Sequence, residues 1–567
     1  MLVYTVWIGN QALLRYDTFT ATAFDLGNMD QAIWNTLHGR PFQFTNHGSD
    51  WYGYPIRLAQ HVEPIIFLLS LLYLFHADVH ILLIFQTLAL TSGALPVFLL
   101  TRKFVPIWPL FAPIMVAAYL FSPALIGENL FDFHPVTLAT PLLLYAVLTL
   151  TYRRYMWFIL CCLLAAACKE EIPLVVSLMS LLVIWKYKLP RLGIVLLIAG
   201  ITWSLFAFLV VEPHFNIGAH SNNFWYRYAT LGDSPKAAIV NVLFHPWLLF
   251  TTFFTLDRIY YVINLLRSTG FLALLAPEWL LPTLFSFAIN LLSMNHAQYS
   301  GVYHYNAAII PFMMIAAING TRRFIMLWYS WRGERKQLEH LRETNILAKA
   351  DALKRVPTLA WAKALQGGLT SRTAKASCAR FSGLYKVVGT RFSASVVQRT
   401  FASLRSHLIK SLDSFQARGS DLAHLLPVSL LQWYCLVWII GMIALNYFIM
   451  FPKLNTFWAN HQPDTHEQHI AQLLAMIPPD APVSAGGNIN PHLTERQYIT
   501  VFPELTIATM TVGKSVPVQY VIVDLNDVSP EDQSRSTIFL NVLNWIERSH
   551  QFRVLAQAEG VILLVRT

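Results

Sequence analysis

Apolar residues recur in continuous runs of about 12 to 20 along the first four-fifths of the chain, separated by short polar stretches. The runs are unbroken rather than alternating, so they predict membrane-crossing helices and not the strands of a barrel. Read in order, they predict spans at residues 1–14 (extended past Arg15), 80–100, 108–121, 136–150, 155–167, 173–185, 192–211, 258–275, 278–292, 306–319 and 427–451. The expectation is a polytopic α-helical membrane protein with about 11 transmembrane helices. Residues 1–14 lack the charged start and small-residue cleavage site of a signal peptide, so they are read as the first helix. Residues 64–75 are apolar but too short to cross, and are expected to lie along the membrane surface.

The polar stretches alternate in kind. Arg102 and Lys103, then Arg153 and Arg154, then Lys186, Lys188 and Arg191 place every second turn in the cytoplasm by the positive-inside rule. The intervening turns carry acids and imidazoles and face outward: residues 15–63, the FDFHP of residues 131–135, and Lys169-Glu170-Glu171. The first of these is the most heavily charged stretch of the membrane portion. It holds Asp25, Asp30, His38, Arg40, His47, Asp50, Arg57, His61 and Glu63, with Trp34, Trp51, Tyr52 and Tyr54. Ions at this density are costly in hydrocarbon, so it is expected to be a large wet outer loop.

Residues 321–426 differ in character, with about three basic residues for each acid, and are expected to form a basic cytoplasmic insert; amphipathic helices on anionic lipid and an unstructured insertion are both compatible with it. After the last span, residues 452–567 read as an extracytoplasmic α/β domain. Helices are expected at 465–476 and 537–549, strands at 483–485, 498–502, 520–524, 552–555 and 561–565, and a hairpin turn at Glu559-Gly560. The domain has neither GxGxxG nor a P-loop, so nucleotide binding is not predicted.

Composition agrees: of 567 residues 55% are hydrophobic and only 13% charged, and mean hydropathy is +0.46. The net charge of +10 gathers in the insert and does not suggest a nucleic-acid partner. The five cysteines lie in apolar segments or the insert, which suggests no disulfide framework.

The candidate chemistry comes from three outer clusters: Asp25, Asp30, His61 and Glu63; Glu128, Asp132 and His134; Lys169, Glu170 and Glu171. Carboxylates and imidazoles can hold a divalent ion or take a proton from an attacking hydroxyl. A nearby Lys or Arg can neutralise a departing phosphate. The loop aromatics suit a sugar ring, and equally an interfacial aromatic belt.

Five motifs carry a family resemblance: FDLGNMDQAIWNTLHGRPF from Phe24, HVEP at residues 61–64, FDFHP at 131–135, CKEE at 168–171 and HYNAAIIPF at 304–312. With NPHLTERQYITVFP at 490–503, they resemble the domain of unknown function 2079 family. The layout is similar to membrane glycosyltransferases of the GT-C type, which take lipid-phosphate sugar donors on the outer face. That resemblance implies Asp25 as the catalytic or metal-binding acid, with Asp132 and His134 assisting. It implies Glu63 facing the donor, Lys169 or Arg57 against the phosphate, and His61, Glu170, Trp34 and His304 among the donor-binding groups. Asp25 is followed by Leu-Gly where the usual acidic pair would stand, which puts in doubt a divalent metal (Mg²⁺ or Mn²⁺) held by Asp25 and Asp132. The expected function is therefore transfer of a sugar from a polyprenyl-phosphate donor to an acceptor at the outer face of the plasma membrane. A transporter, and a non-catalytic scaffold or sensor with an outer ligand-binding domain, are the rival expectations.

Overall fold

The structure is a computed structural model that describes residues 1–46, 53–216, 224–333, 428–511, 513–526 and 536–567. Residues 1–322 and 435–567 form one compact unit, treated below, and residues 323–434 form another. The basic insert expected at 321–426 lies mostly outside the described residues.

The membrane region is helical but does not match the expected count. Among the described residues, three helices are long and apolar enough to cross a bilayer: Val79–Phe104, Pro190–Phe215 and Leu430–Asn460. Two sharply bent pairs, Phe111–Leu120 with Pro123–Leu130 and Pro235–Phe244 with Trp247–Phe253, raise this to five at most. The expectation of about 11 spans is thus overturned. Many apolar runs form short helices instead, such as Tyr155–Ala166 and Ile172–Trp185. At about 1.5 Å per residue these fall short of a hydrocarbon core about 30 Å thick. Proline interrupts several runs: Pro135 opens a 3-10 turn, Pro173 sits at a helix start, and Pro282 lies inside the 3-10 segment Pro277–Thr283. One face of these runs is buried in protein, Leu143, Leu144, Phe158, Val175 and Met179 being nearly or wholly buried, while Met156, Trp157 and Leu163 are exposed.

Among the described residues of 15–63, much of the expected wet loop is folded and buried. After the helix Leu2–Asp17 the chain makes a π-helical turn, Ala23–Gly27, and a second helix, Asn28–Leu37. Asp30, Asn35, Arg57 and Glu63 are buried. Their polarity is met by protein partners, which is what allows burial.

The C-terminal domain follows the expected order. Asp464 and Glu467 form a capping box at the start of the helix Thr465–Leu474. Five strands, β1 (Val483–Ala485), β2 (Ile499–Val501), β5 (Tyr520–Asp524), β6 (Phe552–Ala558) and β7 (Val561–Arg566), make one sheet in the order β2-β1-β5-β7-β6. β1 pairs in parallel with β2 and β5, while β7 runs antiparallel to β5 and β6. Glu559 and Gly560 turn the β6–β7 hairpin with positive φ. A separate antiparallel pair, β3 (Thr506–Ala508) with β4 (Ser515–Pro517), was not legible from the pattern.

This domain is fastened to the first outer stretch. Thr45 Oγ1 donates to the Ile499 carbonyl at 2.8 Å and accepts from its N–H at 3.0 Å. Gln31 Nε2 donates to the carbonyls of Arg496 and Gln497, each at 3.1 Å. His492 stacks between Tyr16 and Phe19, at 4.0 and 3.9 Å.

Candidate functional site

Asp25 sits in the π-helical turn, a distortion that recurs at functional sites. Two fasteners hold that turn, one from the C-terminal domain and one from Asn46. The Ala23 N–H donates to the Gly487 carbonyl at 3.0 Å, and Asn46 Nδ2 donates to the Ala23 carbonyl at 2.8 Å. Asn490 Nδ2 in turn donates to Asn46 Oδ1 at 2.7 Å. Gly27 is needed where the turn meets these amides: a Cβ there would stand 2.9 Å from Asn490 Oδ1 and 3.0 Å from Asn46 Nδ2.

Around Asp25 residues of the first two clusters meet. Thr22 Oγ1 lies 3.1 Å from Asp25 Oδ2 and 2.9 Å from Asp132 Oδ2, bridging the two carboxylates. Asp132 also accepts the Thr22 N–H at 3.0 Å and Arg15 Nε at 3.0 Å. His134 Nε2 lies 3.2 Å from Asp25 Oδ1, while its Nδ1 is 2.9 Å from the Asp132 carbonyl. A carbonyl can only accept, so Nδ1 carries a proton. Burial alone would lift the Asp25 carboxyl; the hydrogen bond and charge of His134, helped by Thr22 and Arg15, reverse this and hold it below its ordinary range. Asp25 is therefore an ionised acid, and its side chain keeps about a third of its surface exposed.

His304 stacks on His134 at 3.8 Å and joins this centre to a second one. Among the described residues its buried Nδ1 has no hydrogen-bond partner. Burial, followed by the charges of His134, Lys169, His61 and Arg227, drives its pKa well below the usual imidazole value, so the ring is neutral. Lys169 pairs with Glu171 at 3.5 Å; burial opposes its charge, but Glu171 and Glu170 outweigh burial and raise its pKa. Arg227 lies over Phe224, 4.5 Å from the ring centroid, and lies 3.5 Å from the hydroxyls of Tyr226 and Tyr305. Among the described residues no carboxylate pairs with it. A half-buried guanidinium with spare donors suits an oxyanion.

The remaining expected residues are placed as follows. Arg57 is committed to Glu63, donating from Nε at 3.2 Å and Nη2 at 2.8 Å, and to Gln60 from Nη1 at 2.7 Å. His61 Nδ1 lies 2.9 Å from Glu170 Oε1, and Glu170 Oε2 accepts the Val62 N–H at 2.9 Å, which ties the first and third outer clusters together. Burial pushes the Glu170 carboxyl up and the His61 imidazole well down. Trp34 contacts His38 and Arg40 rather than the groups around Asp25. Asp30 is fully buried and accepts the hydroxyls of Tyr73 and Thr494. Glu128 is buried against Thr140. Trp51 and Tyr52 lie outside the described residues.

Sequence reasoning overlooked Arg15, Thr22 and Arg227 as site residues. Arg15 carried a signal, since a cation in the last turn of an apolar helix is a default functional candidate. Thr22 carried none.

Among the described residues, no group of three or more His, Cys, Asp or Glu side chains is placed to hold a metal ion. Asp132 spends both oxygens on Arg15 and Thr22. A divalent ion held by Asp25 and Asp132 would have to share their oxygens with Thr22 and Arg15.

The fold and site together define a helical membrane protein with a C-terminal α/β domain and a buried acid–imidazole centre. Residues 15–337 and 376–563 match the family described as "Predicted membrane protein (DUF2079)", and the chain belongs to that family. No curated protein matches. Two solved structures are similar to the whole chain. Apo ArnT from Cupriavidus metallidurans is 12% identical, with a TM-score of 0.42, over 100% of this chain and 97% of its own. The same protein bound to undecaprenyl phosphate is 13% identical, with a TM-score of 0.44, over 100% and 98%.

Proposed function

We propose that this protein is a membrane glycosyltransferase that moves a sugar from a polyprenyl-phosphate donor to an acceptor hydroxyl. The observation that carries the reading is the partly exposed, ionised Asp25, paired with His134, on which His304 stacks within electrostatic range of the cations Lys169 and Arg227.

In this reading the acceptor oxygen bonds to the anomeric carbon of the sugar as the bond from that carbon to the phosphate oxygen breaks. The electron pair leaves with the phosphate, and the acceptor's proton passes to Asp25. His134 holds the Asp25 carboxylate in place. Arg15 and Thr22 fix Asp132 behind it. Lys169 and Arg227 stabilise the charge that grows on the leaving phosphate, where burial strengthens their effect.

The test uses purified full-length protein in nanodiscs with a polyprenyl-phosphate sugar and a membrane-lipid extract as acceptor. Wild type is expected to release polyprenyl phosphate, and Asp25→Asn to lose about 10²–10⁴ in rate without a change in melting temperature. Release that is unchanged in Asp25→Asn would overturn the reading. Solute flux that persists in Asp25→Asn would favour a transporter.

A further inference from the structure

The bent pair Pro235–Phe244 and Trp247–Phe253 starts and ends at one level of the molecule. Just before it, the Arg227 carbonyl accepts the Met294 N–H at 2.6 Å, and the Tyr228 hydroxyl donates to the Ile289 carbonyl at 3.2 Å. Just after it, Arg258 Nη2 donates to the Ser293 carbonyl at 2.6 Å, and the guanidinium lies 4.4 Å from the centroid of the Tyr299 ring. Arg227 and Arg258 therefore bond to adjacent residues, Met294 and Ser293. A segment that crossed the hydrocarbon between them would put these anchors about 30 Å apart. The shared level is that of the candidate site, because the Tyr305 hydroxyl lies 3.5 Å from Arg227. The chain reaches the basic turns of the opposite face only later, where Glu278 accepts from Lys186 at 2.6 Å.

The lengths agree. The two helices have 10 and 7 residues, so they are about 15 and 10 Å long. The first reaches roughly the middle of a hydrocarbon core about 30 Å thick. At His245-Pro246 the chain bends by 106°, more than a right angle, and the second helix does not carry on across.

The surface of the pair is apolar. Ile239, Leu243, Phe244, Trp247, Phe250 and Phe254 are exposed, Leu243 and Phe244 each by 73%. An exposed apolar patch of this kind marks a membrane or protein contact. The distribution of charge favours the membrane. No Asp, Glu, Lys or Arg lies between Lys236 and Asp257, while Asp233 and Lys236 flank one end and Asp257 and Arg258 the other. Charges confined to the two ends, both at the same level, fit a segment that dips into lipid and returns. The break is also suited to hydrocarbon, where backbone groups need partners within the protein. The His245 N–H donates to the Asn241 carbonyl at 2.7 Å, Pro246 has no N–H, and the N–H groups of Leu248 and Leu249 donate to the carbonyls of His245 and Pro246 at 3.0 and 3.2 Å.

We infer that residues 235–254 form a re-entrant hairpin whose exposed apolar face is immersed in the hydrocarbon of the leaflet on the site's side of the membrane. The pair is not a span, and Arg227 stands at the point where the hairpin leaves the site. The partner of this face is the bilayer itself. The proposal does not depend on the glycosyltransferase reading.

The experiment adds single cysteines to the full-length protein in sealed membrane vesicles of each orientation. A membrane-impermeant maleimide labels them, and adducts are mapped by mass spectrometry, so the native cysteines stay in place. Lys236→Cys and Asp257→Cys are expected to react in the same orientation as His296→Cys, and in the opposite one to Arg191→Cys. Phe244→Cys and Phe250→Cys are expected to react in neither. In parallel, phosphatidylcholine carrying an acyl-chain diazirine is expected to label residues 239–254 at least about threefold more than residues 552–558 of the C-terminal domain. This second measurement uses the unaltered protein, so it stands even where a cysteine variant fails to fold. Reaction of Lys236→Cys and Asp257→Cys from opposite sides would make the pair a span and overturn the proposal. Reaction of Phe244→Cys and Phe250→Cys from water, or acyl-chain labelling no higher than that of residues 552–558, would also overturn it and leave the face to a protein partner.

Discussion

Asn46 and Asn490, 444 residues apart in the chain, meet at 2.7 Å beneath the turn that carries Asp25. One amide belongs to the first outer stretch and the other to the C-terminal domain, so the domain is part of the scaffold of the acidic centre. Asn490→Ala leaves Asn46 Oδ1 without its donor in a buried place. It is expected to destabilise the protein by about 1–3 kcal/mol. Gly27→Ala is expected to cost a similar amount, roughly 1–3 kcal/mol, by forcing a methyl group against the same amides. Thermal unfolding in detergent checks both, and an unchanged melting temperature in both variants would mean that the domain is only loosely attached.

Arg57 and Glu63 form a buried pair, each side chain 3% exposed. Arg57→Met would strand a buried carboxylate and is expected to cost roughly 3–5 kcal/mol. The double variant Arg57→Met with Glu63→Leu is expected to recover most of that loss. Denaturant titration of the two variants measures the difference. A stable Arg57→Met protein that has lost only donor affinity would instead assign Arg57 to the phosphate.

Asp30 introduces a pH dependence. Burial raises its carboxyl to about 7, against 3.8 for the free group, despite hydrogen bonds from Thr494 and Tyr73. A raised folded-state value means that the native protein holds the proton more tightly than the unfolded chain. The stabilisation is complete below the unfolded value and is lost as pH rises toward the folded one. Stability is therefore expected to fall between about pH 4 and pH 7, by up to roughly 1.4 kcal/mol per pH unit. Glu495, raised by burial and by Asp30 to about 8, acts in the same direction. Melting temperatures of wild type and Asp30→Asn across this range check it, the variant being expected to show the flatter profile.

Arg227 and Lys169 are expected to act on the donor and not on the fold. Arg227→Lys keeps the charge but removes the planar fork. It is expected to raise the KM for a polyprenyl-phosphate sugar about tenfold, a loss of about 1.4 kcal/mol, with a smaller effect on kcat. Steady-state kinetics separates the two, and an unaltered KM would remove Arg227 from the phosphate site.

These residues also show what was legible in the sequence. Asp25, Asp132 and His134 stand out because ions are scarce in so apolar a chain, and the structure places them within hydrogen-bonding reach of one another or of Thr22. The two helices and the five-stranded sheet of the C-terminal domain followed from ordinary alternation and turn chemistry, and the short β3–β4 pair did not. The number of spans did not. Hydropathy cannot separate a side chain facing lipid from one packed in protein, and Leu143 or Val175 reads the same in either place. The polar surroundings of Asp30 were misjudged for a related reason. Its partners Tyr73 and Thr494 are distant in sequence, so a buried acid resembled one in water. No local pattern announces Asn490 as the support of Asn46.

The central claim is that Asp25 and the Lys169–Arg227 cations serve one reaction centre. A cryo-EM structure of Asp25→Asn with a polyprenyl-phosphate sugar bound tests it most directly. The account expects the donor phosphate within hydrogen-bonding distance of Arg227 or Lys169, and the anomeric carbon of the sugar facing residue 25. A phosphate bound elsewhere, with the sugar turned away from residue 25, would contradict it.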